Sequence, residues 1–329
     1  MNFKRDLINI VKHYFATEDI SFVDKGDTSD FAARYCEMRI RRIDPRPRDV
    51  HFSREIHDSL GKLVHESDKE QSDLAIEAWH TVFYLRQLFV SGGRVQPNLS
   101  RCVENATTKD GLLWDYGMHH FHLCRNIEKS GFVKRSKYLL FAIVADTEVF
   151  FVDVRMHTDP EKLQWVRQSL LRIVNENWPA LTNSRVLHGV SGSTLTDEEI
   201  RVLRDKNANH ITNLGGQAVA PLGWGTNSRG GSIFCRVWGH KLVHEIEQHE
   251  RYFYCQQDEL RAKLKTAGND LSGDTDFELV PLDSLNLSNE VTEILKRADC
   301  LSADLSKMGF AIVAAKTKTP IVVTLTEGQ

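Results

Sequence analysis

Apolar residues recur at helical spacing in three long stretches of the chain. Residues 3–15 form the first stretch, and residues 67–93 contain the longest one, which ends at the glycine pair Gly92–Gly93. A third stretch, EKLQWVRQSLLRIVNENW, follows Asp159–Pro160 and ends before Pro179. Three- and four-residue spacing places apolar side chains on one face of a helix. The pattern therefore predicts three amphipathic helices, and the second should bury one face against a sheet.

Other stretches have the patterns of strands. Tyr35, Glu37, Arg39 and Arg41 alternate with their neighbours, which favours an extended strand over residues 31–42. YLLFAIVAD, at residues 138–146, is a continuous apolar run of the kind found in strands that are buried on both faces. FFVDVRMH follows after a short turn at Asp146–Glu148, so the two runs predict a β-hairpin.

The second half of the chain has weaker signals. Thr196 and Glu199 have the spacing of a helix capping box, and HITNLGGQAVAP predicts a hairpin around Gly215–Gly216. A glycine-rich loop precedes a long helix predicted from Ile233 to Lys263. Residues 267–276 resemble a linker, and residues 309–328 predict two final strands around a Thr-Lys-Thr-Pro turn.

Together these elements predict an α+β fold. Its middle unit has an antiparallel or mixed sheet packed by helices, and further α/β units lie on both sides. The changes in pattern divide the 329 residues into four units. They are an N-terminal α+β unit at 1–105, a middle unit at 106–182, a helix–hairpin–long-helix unit at 183–268 and a C-terminal hairpin unit at 269–329.

Composition narrows the class of protein. Lysine and arginine number 42 against 45 acidic residues, so any anionic ligand must be held by a local group of cations. Residues 1–15 mix charges into their apolar pattern, and no run reaches the roughly 18 apolar residues of a membrane helix. The six cysteines form no CxxC pair, which favours reduced thiols. A cytoplasmic protein without a membrane partner is predicted.

The most distinctive segment is WDYGMHHFHL at residues 114–123, because it carries three histidines in four positions. Side chains alternate between the two faces of a strand. His120 and His122 would then share one face, while His119 and Phe121 would point to the other. Two imidazoles on one surface suit a phosphate, a metal ion or a proton-transfer site.

A second strand adds ionisable groups. In FFVDVRMH, strict alternation places Phe151, Asp153, Arg155 and His157 on one face and Val152, Val154 and Met156 on the other. If this strand lies near the histidine strand, imidazole, guanidinium and carboxylate groups converge. The candidate catalytic residues are His120, His122, Asp153, Arg155 and His157. The basic loop before residue 138 could close over a phosphate through Lys134, Arg135 and Lys137.

RNA cleavage without a metal needs a base, an acid and cations that stabilise the phosphorane. Histidine suits both proton-transfer roles because its unperturbed pKa is about 6.5. The order of elements over about residues 113–180 resembles the RelE-type ribonuclease toxins and the wider barnase/EndoU-like group. In that resemblance Arg135, Lys137, Arg155 and His157 match in kind, whereas the HHxH segment does not.

The resemblance implies an endoribonuclease of toxin or phage-defence type. Such an enzyme would act on RNA without a cofactor or metal and would have a protein inhibitor or another defence protein as a partner.

Two other readings of these residues stay open. The first is a metal-dependent hydrolase that uses the HHxH segment, because HxH on a strand is a spacing that zinc and iron sites use, and Asp153 or His157 could supply a third ligand. The nearby cations Lys134, Arg135 and Arg155 would repel a divalent ion, so no metal is expected. Alternatively, the sheet belongs to a non-catalytic binding or regulatory protein. Trp114, Trp165 and Trp178 are predicted to be core residues rather than platforms for stacked bases.

Overall fold

A computed structural model describes most of the chain. The described residues are 1–22, 26–70, 73–159, 161, 163–266, 277–288, 291–293, 296, 305, 308–315, 318 and 320–321. The fold is α+β, as the sequence predicted. Among the described helices, none is both long enough and apolar enough to cross a bilayer.

Helices and strands alternate irregularly along the chain. The helices are α1 Phe3–Thr17, α2 Thr28–Arg42, α3 Arg54–Glu70, α4 Asp73–Ser91, α5 Gly111–Tyr116, α6 Gln168–Asn177, α7 Pro179–Asn183, α8 Asp197–Asp205, α9 Ile233–Cys255 and α10 Gln257–Thr266. The strands are β1 Asp49–Phe52, β2 Met118–His122, β3 Tyr138–Val144, β4 Glu148–Met156, β5 Thr212–Leu214, β6 Gln217–Val219, β7 Phe277–Pro281 and β8 Phe310–Ala314. Short 3₁₀ helices lie at Gln96–Asn98, Arg101–Glu104 and Leu282–Ser284.

The chain folds into two compact units. The terminal unit contains residues 1–36 and 235–329, and the central unit contains residues 37–234. These units do not coincide with the four predicted segments. The central unit joins the predicted middle unit to segments on either side of it, and the terminal unit combines both ends of the chain. Segments so far apart in the chain have no local sequence pattern that predicts their contact.

The terminal unit is built around a short antiparallel sheet of β7 and β8. The Phe253 ring lies 5.9 Å from the Phe3 ring and 5.0 Å from the Phe277 ring, measured between centroids. The Leu279 amide donates a hydrogen bond to the Asp6 carboxylate at 3.2 Å. These contacts join α1 to the C-terminal half of the unit.

The central unit contains a mixed four-stranded sheet in the order β1-β4-β3-β2. Strand β1 runs parallel to β4, while β3 is antiparallel to both β4 and β2. The β3–β4 pairing confirms the hairpin predicted from residues 138–157. Strand β2, which carries the HHxH segment, is an edge strand of this sheet.

Apolar side chains cover both faces of the central sheet. The first face packs against α3 and α4, and its core includes Phe89, Phe121 and Phe151. The second face packs against α5 and α6, and its core includes Phe141 and Leu170. Strand β3 contributes to both cores, because Leu140 lies in the first and Leu139 in the second. This two-sided burial explains why its sequence is continuously apolar.

A β-bulge interrupts the β3–β4 ladder between Phe141 and Ala142. One extra residue in a strand reverses the faces of the side chains that follow it. Phe151 and Val154 consequently belong to the same core, whereas Val152 belongs to the other. The prediction that Val152 and Val154 share a face was therefore wrong, and so was the placement of Phe151 on the same face as His157.

The prediction of a strand over residues 31–42 was also wrong, because this segment lies in α2. Phe31, Tyr35 and Met38 are buried at spacings of four and three residues. That spacing is helical, and the alternation of Tyr35 and Glu37 with their neighbours was incidental. Arginines at the end of the segment also suit the C-terminal turn of a helix.

Several other boundaries differ from the predictions. The helix expected after Pro160 begins only at Gln168, and the long helix expected from Ile233 to Lys263 divides into α9 and α10. The capping box at Thr196 and the hairpin around Gly215–Gly216 are confirmed. The predicted linker at 267–276 and the last predicted strand, mostly within 322–329, lie outside the described residues.

Candidate active site

One cavity in the central unit has a volume of about 1090 Å³. This volume is slightly above the range for small-molecule sites, which is roughly 300–1,000 Å³. Its lining includes side chains from β2, the segment after β4, the loop before β3 and helices α2, α5 and α8. The charged residues in its lining are the cations Arg41, Arg101, Lys109, Lys134, Arg135, Arg201 and Arg204 and the anions Asp110, Glu128 and Asp205. Positive charge therefore predominates on its walls.

Local structure sets the direction of β2 at this cavity. Helix α5 begins with the Asp110 side chain accepting a hydrogen bond from the Leu113 amide. It ends at Gly117, whose φ of +66° favours glycine and turns the chain into the strand. His120 and His122 then pair with Phe141 and Leu139 of β3. Both imidazoles consequently lie on the second face of the sheet.

Three of the predicted residues form a group of imidazole rings in the cavity lining, here called the histidine cluster: His120, His122 and His157. The ring centroids of His120 and His122 are 6.0 Å apart. His157, which follows β4, stacks on His122 at 5.5 Å with an angle of 23° between the ring planes. The sequence analysis expected these three imidazoles to converge if the two strands lie near each other.

Trp165 contacts the histidine cluster from the segment before α6. Its ring centroid lies 4.7 Å from the His120 ring and 6.1 Å from the His157 ring. Trp165 is partly exposed and packs against the second core, as predicted, but it also lines the cavity. Trp114 is buried and Trp178 packs against the second core, although Trp114 also lines the cavity.

Burial makes the histidine cluster difficult to protonate. Burial is the main cause that lowers the pKa of His120 to about 4 and the pKa of His122 to about 3. Repulsion from the other imidazoles and from Arg135 acts in the same direction. Burial and then Arg135 also lower the pKa of His157. All three rings are consequently neutral near pH 7 in the ligand-free protein.

A hydrogen bond at the cavity fixes the tautomer of one ring. The Arg135 Nε–H donates to His157 Nε2 at 3.1 Å. His157 Nε2 must therefore carry a lone pair, and the proton of the neutral ring lies on Nδ1. His119 points away from the cluster, and its Nε2 donates to the Ile40 carbonyl at 3.1 Å.

These pKa shifts predict that acid destabilises the central unit. The unfolded chain protonates His122 near pH 6.5, whereas the folded protein protonates it near pH 3. The unfolded state binds more protons between these values, so stability falls as the pH drops below about 6.5. The unfolding free energy of the wild type should fall between pH 7 and pH 5. We expect this fall to be about 1–2 kcal/mol smaller in His122→Asn.

Urea unfolding of both proteins at the two pH values measures this difference. The exposed histidine variant His188→Asn is the matched control and should keep the pH dependence of the wild type. An unchanged pH dependence in His122→Asn would contradict the assigned burial effect.

The structure separates two other predicted residues from the cluster. Asp153 and Arg155 lie outside the cavity lining and form an ion pair at 2.8 Å. Asp153 also accepts a hydrogen bond from Ser59 at 2.6 Å, and Arg155 donates to Ser169 at 2.9 Å. In the sheet, Leu139 pairs with both His122 and Arg155 and therefore stands between them.

Only two of the three basic loop residues line the cavity. Lys134 and Arg135 line the cavity and are exposed to solvent. Lys137 lies outside the lining, and its ammonium group is 5.1 Å from the centroid of the Tyr138 ring. Lys134 and Arg135 are therefore the members of this loop that are placed to meet an anion in the cavity.

Sequence reasoning missed cations that come from distant elements. Arg41 belongs to α2, Arg101 to a 3₁₀ helix, and Arg204 to α8. No spacing in the chain links these residues to the histidines. An arginine among apolar helix positions is unusual and would have indicated a special role for Arg41. The alternation pattern, however, predicted a strand over this segment.

The fold and the cavity define an α+β protein with a basic, histidine-lined pocket. Among the described residues, no group of three His, Cys, Asp or Glu side chains is arranged to hold a metal ion. Comparisons of the chain with protein-family models, curated proteins and solved structures gave no match.

Proposed function

We propose that the central unit is an endoribonuclease that cleaves RNA at the histidine cluster without a metal ion. The observation that carries the proposal is the convergence of three imidazoles on a cavity whose walls have an excess of cations. Imidazoles can move protons near neutral pH, and cations can stabilise the charge of a phosphorane. RNA supplies both the phosphate and an internal nucleophile.

The reaction is an internal transesterification. A neutral imidazole removes the proton of the 2′-hydroxyl, whose oxygen attacks the adjacent phosphorus. The bond from phosphorus to the 5′-oxygen breaks, and a second imidazole in its charged form donates a proton to that oxygen. The products are a 2′,3′-cyclic phosphate and a 5′-hydroxyl. Arg135 and Lys134 stabilise the negative charge that builds up on the phosphate oxygens.

The low histidine pKa values set what each proton-transfer role requires. The base needs a neutral ring, which is the state of all three imidazoles at pH 7. The acid needs a charged ring, and a bound phosphate raises the pKa of a nearby imidazole by offsetting its desolvation and its repulsion from Arg135. We assign these roles to His157 and to one of His120 and His122. Asp153 and Arg155 hold the end of β4 and act as positioning residues.

We also propose a cellular compartment and a class of protein partner for the enzyme. All five cysteines within the described ranges are free thiols, which fits a reducing compartment such as the cytoplasm. An enzyme that cleaves cellular RNA must be restrained, so a protein inhibitor or another defence protein is a natural partner. We therefore place the activity among toxin or phage-defence ribonucleases.

Cleavage of RNA in EDTA tests the proposal. We expect purified protein to produce fragments with 2′,3′-cyclic phosphate ends. Because the free-protein pKa values of His120 and His122 are about 4 and 3, the maximum of kcat/KM should lie below pH 6.5. Initial rates from pH 4 to pH 9 and end-group analysis measure both results. Absence of cleavage across this range, or a strict need for metal, would contradict the proposal.

A second function is a non-catalytic RNA-binding or regulatory protein on the same scaffold. The observation that favours it is the hydrogen bond from Arg135 to His157, because it occupies one imidazole nitrogen that catalysis would use. RNA binding without cleavage in the same titration would support this function instead.

A further inference from the structure

Arg41 is a buried cation whose charge is not balanced by a nearby carboxylate. Its side chain is 2% exposed and lines the cavity. Nη1 donates to the Asn105 carbonyl at 2.9 Å and contacts the Met38 sulfur at 3.7 Å. Within the described part of the chain, Nε and Nη2 have no hydrogen-bond partner. Buried charges are normally paired, so this arrangement calls for an anion.

Two other side chains of the cavity lining also have unpaired N–H groups. Trp114 and Arg204 also line the cavity, and Trp114 Nε1 and Arg204 Nη2 are buried without a hydrogen-bond partner among the residues described. The Arg41 guanidinium lies 5.7 Å from the Trp114 ring centroid. All four of these unpaired nitrogen positions carry N–H groups and can only donate. We call Arg41, Trp114 and Arg204 the arginine subsite.

Acidic groups near the subsite already have partners. Asp115 forms an ion pair with Arg204 at 2.6 Å, and Asp110 accepts the Leu113 amide at the start of α5. Neither carboxylate accepts a hydrogen bond from Arg41 Nε, Arg41 Nη2 or Trp114 Nε1. An incoming oxyanion would supply the acceptors that these donors lack.

We propose that the arginine subsite binds a second phosphate group of the RNA substrate while the histidine cluster holds the phosphate that is cleaved. This inference rests on the proposed function. A guanidinium fork matches two oxygens of a phosphate, which a single ammonium cannot do. His119 bonds to Ile40, the residue before Arg41, so the subsite lies near His119. The subsite and the histidine cluster line the same cavity, so one RNA strand bound there can meet both.

Calorimetric titration with a non-cleavable 2′-deoxydinucleotide tests the subsite. The probe is used with and without a 5′-phosphate, and inorganic phosphate is titrated separately. We expect the 5′-phosphate to strengthen binding to the wild type about tenfold or more. Arg41→Met should abolish that gain, whereas His122→Asn should retain it. Because the probe cannot be cleaved, a failure of the gain overturns the subsite without bearing on catalysis.

The two possible sources of the phosphate give different results. A gain from the 5′-phosphate that depends on Arg41 supports a nucleic-acid phosphate. Binding of inorganic phosphate that depends on Arg41, without any gain from the 5′-phosphate, overturns RNA as its source and assigns the subsite to free phosphate. Absence of RNA cleavage alongside an intact gain overturns the proposed ribonuclease but not the subsite.

Thermal melting separates a binding role from a structural one. If the Arg41 guanidinium is paired only when a ligand is bound, Arg41→Met should raise the Tm of the phosphate-free protein, because it removes an unpaired buried charge. A lower Tm together with an unchanged gain from the 5′-phosphate would assign Arg41 a structural role and overturn the subsite. Arg39→Met, on the same helix, removes an arginine that pairs with Asp44 and is the matched control. If Arg41→Met does not fold, Trp114→Phe removes one donor while keeping the ring, and it should weaken the gain.

Discussion

We expect the His157→Ala variant to cleave RNA about 10²–10⁴ times more slowly than the wild type, the usual loss when a positioned acid or base is removed. His157 stacks on His122 and receives a hydrogen bond from Arg135, so its imidazole connects the histidine cluster to the basic loop. The measurement is the initial rate on one defined RNA in EDTA, at the pH optimum of the wild type.

His188→Ala is the control for this experiment, because His188 is an exposed histidine outside the cavity lining. It should cleave at the wild-type rate. Circular dichroism and the Tm of the His157 variant should show that it remains folded. Equal rates for wild type, His157→Ala and His188→Ala would reject the catalytic role of the cluster and favour a binding protein.

The largest effect on stability is expected from Asp115→Ala. Asp115 is 4% exposed and holds Arg204 at 2.6 Å, while Arg204 also donates to the Trp165 carbonyl. Removing the carboxylate leaves a guanidinium in the interior without its partner. Loss of one member of a buried ion pair costs about 3–5 kcal/mol. Urea unfolding at pH 7 measures the change in unfolding free energy.

The matched control for Asp115→Ala is Asp205→Ala. Asp205 also binds an arginine of α8, because it accepts from Arg201 at 3.1 Å, but its side chain is 66% exposed. Loss of an exposed pair usually costs less than about 1 kcal/mol. If the two variants lose similar stability, the Asp115–Arg204 pair is not effectively buried.

Local patterns explain what the sequence could predict of the fold. The β3–β4 hairpin joins neighbouring segments, and the capping box at Thr196 needs only four residues. The strand predicted at 31–42 failed because helical and extended periods overlap over so short a window, and the burial of Phe31, Tyr35 and Met38 decided between them. The joining of residues 1–36 with residues 235–329 depends on contacts across the whole chain.

The candidate site shows the same limit. Alternation in two strands predicted that His120, His122 and His157 approach each other if the strands lie near each other, and their catalytic role stays a prediction. The approach of His157 also depends on the β-bulge in β4, which the alternation pattern does not show. Arg155 was expected beside them, but it pairs with Asp153 and Ser169 instead. Arg41 reaches the cavity from a distant helix, so its position depends on tertiary packing that no motif in the sequence describes.

The β-bulge opposite Phe141 divides β4 into two halves. In the second half, odd-numbered side chains point to the face opposite to the one they occupy in the first half. Up to Phe151 the odd-numbered side chains enter the core beneath α3 and α4, whereas His157, also odd-numbered, meets the cavity. Without the bulge, His157 would lie on the same face as Phe151, beneath α3 and α4 and away from His122. One inserted residue thus lets odd-numbered side chains of a single strand contact the core in its first half and the cavity at its end.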